Sequence, residues 1–386
     1  MSILISLFFF ISPICAIPLS ILASIKDERK RFIYLMELAI SLAFLAYCWK
    51  PNKIYDLYVW QQQANLLAKM SNIQFWNYAI KSSEFISLTI KYIIGKTGNL
   101  SLLQFVVVAS GYMNIFYILN DSCKKFKISK SNYAITLAYL MCSLLYLNFI
   151  SGLFFTWALT VFAVGVYWFY FKENRLLATI VLVLSVLIHT SMIFPMIIFI
   201  MYLLAKSKIN YKSFFIIFFV SIIPSYVLPL LAKYTSIAII QDLYIMYNGY
   251  FLSDAYNKMN SGGFFIANIL MCIPIYSICF LSKGKKIDAM GKLSILIDVI
   301  SLILCINAPI FIRYSYLSIV LFMPSFEQYF SSKSQIQINN KKIVFYGVVI
   351  IEFIIFLYQI YLLKNIEIIN LIINNIYRPI IGVFYK

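Results

Sequence analysis

Long apolar runs separated by short polar ones fill almost the whole chain. They recur at lengths of about 17–23 residues, each enough to cross a hydrocarbon core as a helix at roughly 1.5 Å per residue. The pattern predicts an all-α polytopic membrane protein. About 12 spans are expected in one integral membrane domain over residues 1–386, near 2–24, 32–49, 100–120, 133–150, 153–171, 175–190, 191–205, 213–231, 263–281, 293–312, 314–330 and 343–363. Two stretches break the rhythm, 50–99 and 232–262. Within the first, 85–98 is apolar but short and carries Lys91 and Lys96, which predicts a re-entrant or interfacial helix rather than a span.

Charge orients the pattern. Of the 32 Lys and Arg residues, about 20 fall in the short odd-to-even connections (around Lys26–Arg31, Lys124–Lys130, Lys172–Arg175, Lys206–Lys212, Lys283–Lys292 and Lys333–Lys342), as cytoplasmic loops do. The long stretches 50–99 and 232–262 and both termini are therefore expected outside. The same bias accounts for the net charge of +18, and no aromatic-basic nucleic-acid motif stands in a soluble domain, so no nucleic-acid partner is expected. The N-terminal run lacks a basic n-region and is too long for a signal-peptide core, so it reads as a first span.

The seven cysteines lie in or beside apolar runs without CxxC or histidine spacing, which predicts small core residues and no metal site. The sequence has no HExxH, P-loop, dinucleotide glycine fingerprint or GxSxG, and no cofactor is expected.

The candidate chemistry is confined to a few polar groups. The stretch from Asp242 to Lys258 is dense in tyrosine, aspartate and asparagine, including Tyr250, Asp254 and Tyr256. Aromatic faces pack on sugar C–H surfaces and carboxylates bond hydroxyls, although tyrosines also gather at membrane interfaces for no catalytic reason. Arg313, at the outer end of the tenth span, offers forked donors suited to phosphate; snorkelling or a structural carboxylate pair is the alternative. His189 closes the sixth span at the same side and depth. Glu352 stands mid-span, whereas Glu37, Asp298 and Glu327 read as structural; Asp298 and Arg313 are expected on one helix about 22 Å apart.

Ile150-Ser151-Gly152, Leu187-Ile188-His189-Thr190-Ser191, Arg313-Tyr314-Ser315-Tyr316 with Pro324, and Asp56-Leu57-Tyr58 resemble, in the same order, motifs of the EpsG/Wzy polysaccharide polymerases. The resemblance implies a GT-C-like architecture in a bacterial inner membrane. It further implies an enzyme that joins undecaprenyl-pyrophosphate-linked repeat units into O-antigen, capsule or exopolysaccharide on the outer face, with a flippase and a chain-length regulator as partners. It gives the leaving pyrophosphate to Arg313, with His189 as second donor or base and Asp56 or Glu84 as the alternative base; Tyr58 and the Asp242–Lys258 stretch fall to the glycan. One departure stands out. Family members carry Arg-Gln shortly after the Ser-Gly, where this chain has Leu153-Phe154-Phe155-Thr156, so Lys50, Lys53 or Lys91 is left to supply the second cation. A lipid-glycan flippase, a membrane sugar acyltransferase and a subunit without chemistry are the rival readings.

Overall fold

The computed structural model describes residues 2–53, 55–144, 146–205, 240–241, 262–281, 287–304, 308–331, 336–364 and 367–383. All regular structure among them is helical. Four helices are long and apolar enough to cross a membrane by length and composition: Arg31–Cys48, Leu102–Phe126, Leu153–Lys172 and Val344–Lys364. Shorter apolar helices occupy Pro13–Lys26, Arg175–Ile188, Thr190–Leu204 and Ile266–Leu281. The span expected at 213–231 lies outside the described residues.

The first expected span is broken. α1 (Ser2–Ile11) and α2 (Pro13–Lys26) meet at Ser12, whose hydroxyl accepts from the Cys15 N–H. Pro13 in the first turn of α2 has no N–H to leave unsatisfied, which favours a new start there. α3 (Arg31–Cys48) packs along α2 and α7 (Leu102–Phe126). α8 (Lys130–Ser143) and the short α9 (Tyr146–Ser151) rise to Gly152, where α10 (Leu153–Tyr167) descends through a π-helical turn ending at Lys172.

α11 (Arg175–Ile188) and α12 (Ile193–Leu204) form a hairpin against α10. Phe155 near the start of α10 meets His189 at the hairpin turn, while Phe199 on α12 meets Phe162, Phe169 and Tyr170 further along α10. α13 (Gly262–Leu281), α14 (Ala289–Leu304), α15 (Ala308–Ser331) and α16 (Ile336–Lys364) complete the bundle, and α17 (Ile368–Asn375) lies beside α3.

The α14–α15 contact is close because its residues are small. Ser294 and Ser318 exchange bonds, each hydroxyl donating to the other's carbonyl at 2.7 and 3.1 Å, and Gly291 faces Ser325 with no room for a Cβ. Small residues and paired hydroxyls are how helices associate where lipid removes the hydrophobic drive between them. This pair also corrects one expectation: Asp298 is on α14 and Arg313 on α15, because a new helix begins at Ala308 with Pro309 in its first turn.

One end of the bundle gathers the basic connections. Lys130 donates to the Lys26 carbonyl at 3.0 Å, Lys172 pairs with Asp121 at 2.8 Å, and buried Arg31 lies 4.0 Å over the Tyr133 ring. Glu327 accepts from Cys123 at 2.8 Å, Glu37 accepts from Ser6, and Asp298 accepts from Tyr276, so all three carboxylates have structural partners. Glu352 is buried on α16, with Oε1 unpartnered among the described residues. Elsewhere α16 shows a wide apolar face (Val349, Ile350, Phe353, Leu357, Ile360), the composition a lipid-facing helix needs.

Candidate functional site at the opposite end

At the other end, the stretch 50–99 folds into three helices that cap the bundle. They are α4 (Asp56–Ala68), α5 (Asn72–Ala79) and α6 (Phe85–Thr97). α6 is drawn tightly onto α4 at Gly95, where an added Cβ would meet the Ala64 carbonyl oxygen at 2.2 Å, and it ends at Gly98 in a left-handed turn. α4 is fastened below by Gln61, which donates to Gln104 of α7; Gln104 in turn donates to the Ala46 and Trp49 carbonyls at the end of α3.

Two predicted site residues of this cap, Asp56 and Glu84, meet two of the bundle, Arg313 and His189. Asp56 opens α4 and meets Arg313 of α15 across 3.9 Å, both side chains partly exposed. Glu84 immediately precedes α6 and meets His189, between α11 and α12, with 3.8 Å from its Oε1 to Nδ1. The N–H and hydroxyl of Thr190 both donate to the same Glu84 oxygen, each at 3.4 Å. His189 and Arg313 are linked by Phe155, whose ring lies against the imidazole and 5.2 Å from the guanidinium carbon, and by Tyr314, which donates to the Ser191 carbonyl at 2.8 Å.

The protonation states follow from burial and hydrogen bonds. The Ser191 N–H donates to Nδ1 at 3.3 Å, which leaves the ring proton on Nε2. The Glu84–His189 approach is therefore not an ion pair. Burial raises the Glu84 carboxyl, while Lys91 and the Thr190 and Ser87 donors draw it back down. A buried carboxylate held above its ordinary range is suited to proton transfer.

Lys91 is placed behind this pair rather than at its opening. It is 1% exposed, donates to Gln63 Oε1 at 3.1 Å, and has its ammonium 4.0 Å from the centre of the Trp60 ring and 4.6 Å from that of Phe154. Burial lowers it to about 8, against the raising effect of Glu84. Phe154 and Phe155, in the stretch where the resembled family has Arg-Gln, thus contact cations from elsewhere in the chain: Lys91 on one ring, Arg313 on the next. Sequence reasoning missed both rings and the Trp60 contact, since a phenylalanine pair in an apolar run carries no local sign of a cation.

Lys50 and Lys53 lie exposed in the connection before α4, and Tyr58 is half-buried in the first turn of α4. Asp242, Tyr250, Asp254 and Tyr256 lie outside the described residues. Among the described residues no cluster of metal-ligating side chains is found. Comparison with known protein families, with curated proteins and with solved structures returns no match for this chain.

Proposed function

We propose that the protein is a glycosyltransferase of the bacterial inner membrane that polymerises undecaprenyl-pyrophosphate-linked repeat units on the outer face. The observation that carries this reading is the meeting of Asp56, Glu84, His189 and Arg313 at the end of the bundle away from the basic connections. With those connections in the cytoplasm, the four residues face out and both termini lie outside. The apolar helices and the motif resemblance give the remaining support, including the GT-C-like assignment and a total of about 12 spans.

In this reaction an acceptor hydroxyl attacks the anomeric carbon of the donor glycan. A C–O bond forms as the bond to pyrophosphate breaks; the hydroxyl proton passes to Glu84, and the lipid pyrophosphate leaves with its charge against Arg313. The guanidinium suits that charge because its forked donors stay protonated when partly desolvated. Nε2–H of His189 is the second donor to the departing oxygen, Asp56 holds Arg313 in place, and Tyr58, in the first turn of α4, is assigned to packing on sugar. A flippase and a chain-length regulator are the proposed partners.

Complementation of a deletion strain tests the assignment. Arg313→Ala, at normal protein level, is expected to leave single repeat units in place of long-chain polysaccharide on a gel; normal-length polymer from that variant would remove Arg313 from the reaction.

A further inference from the structure

α5 has two apolar faces, and only one is used inside the protein. Phe75 and Ala79 are fully buried, with Phe75 stacked on Tyr92 of α6 at 3.9 Å between ring centres in a small core separate from that of the bundle. On the other side Ile73, Trp76 and Ile80 follow one another at i, i+3 and i+7 and are 76%, 43% and 72% exposed, the Trp76 ring having Phe85 on its inner side at 6.0 Å between ring centres. The helix is fixed in this attitude by a capping box, Ser71 and Gln74 each accepting from the other's backbone N–H.

The charge around this stripe has one sign. Exposed Lys69 and Lys81 flank α5, exposed Lys96 reaches the Met70 carbonyl beside its start, and residues 57–83 contain no aspartate or glutamate. The only acids bordering that stretch, Asp56 and Glu84, are turned toward Arg313 and His189. Helix α11, against which α6 packs, is itself apolar on its exposed side at Ile180, Val183 and Leu184.

We propose that α5 is a membrane-docking helix, lying in the headgroup layer of an anionic leaflet with Ile73, Trp76 and Ile80 among the acyl chains and Lys69 and Lys81 against lipid phosphates. Short helices with an apolar stripe and lysines at its margins bind the interface in this way, and tryptophan and tyrosine settle at that depth. The inference is independent of the reaction proposed above; it requires only that the spans be embedded in a bilayer.

Full-length protein reconstituted into vesicles of phosphatidylcholine, with or without phosphatidylglycerol, tests it through tryptophan fluorescence. The Trp76 signal is the difference between wild type and Trp76→Phe. It is expected to be quenched by lipids brominated on the acyl chains and spared by aqueous iodide. That bromolipid quenching is expected to weaken when phosphatidylglycerol is omitted or when Lys69→Gln and Lys81→Gln are combined. Quenching by iodide alone overturns the docking, and quenching indifferent to headgroup charge overturns the anionic part. A signal shielded from both quenchers, or changing with protein density, assigns the stripe to a protein partner and also overturns it. If Trp76→Phe disturbs the Phe75–Tyr92 stack, the signal gained by Ile80→Trp serves the same comparison.

Discussion

At Lys91 the protein keeps a charge where burial disfavours one, and two measurable effects follow. The group is lowered to about 8, so between that pH and the ordinary lysine value the unfolded chain holds a proton the native chain has lost. Stability is therefore expected to rise with pH across that window, by on the order of 3 kcal/mol, and melting in detergent should show the rise in wild type but not in Lys91→Met. The same cation draws down the Glu84 carboxyl. Its removal moves the acid limb of the rate profile to higher pH when polymerisation is followed with lipid-linked repeat units in vitro. Glu84→Gln keeps the acceptor oxygen for Thr190 and removes the proposed base, with an expected loss of about 10²–10⁴ in rate in the same assay. The individual polar residues of this site were readable in the sequence because each stood out against an apolar background. Their pairing was not: Glu84 and His189 are far apart in the chain, and nothing local to Phe154 or Phe155 announces the cation it covers.

Among the helices, α4 and α6 set the geometry that those residues depend on. Gly95 lets α6 approach the Ala64 carbonyl, and the obstacle is backbone, which cannot swing aside as a side chain does. Gly95→Ala is expected to push α6 off α4 at a cost of about 1–3 kcal/mol, shifting Glu84 away from His189. Polymerisation should fall in this variant while melting shows the bundle still folded; full activity would mean the α4–α6 spacing does not position the site. Helices of this length are the most legible part of such a chain, since apolar runs of 17 or more residues have few other uses. Interruptions are less so. The breaks at Ser12 and before Ala308 each sit at a proline in the first turn of the following helix, inside runs apolar enough to read as continuous. The second of them put Asp298 and Arg313 on one helix in the sequence reading, where the structure has two.

For the whole molecule the proposed orientation is a statement about two ends, one where Lys26, Lys130 and Lys172 make their contacts and one where the cap sits. Alkaline phosphatase fused within 50–55 or 80–83 is expected to be active and within 127–130 or 172–174 inactive; the reverse pattern would turn the site to the cytoplasm and end the outer-face reading. The sequence bias in lysine and arginine is the ground for this proposed orientation, because insertion responds to loop charge before any tertiary contact exists. The site also divides unevenly between parts of the molecule. Arg313 and His189 belong to the main bundle, whereas Asp56 and Glu84 belong to a cap with a small core of its own. Two contacts, 3.9 and 3.8 Å long, join the halves at the chemistry itself. Under the proposed reaction an arriving pyrophosphate competes with Asp56 for the guanidinium, so the ligand that needs the cleft also loosens one of its clasps.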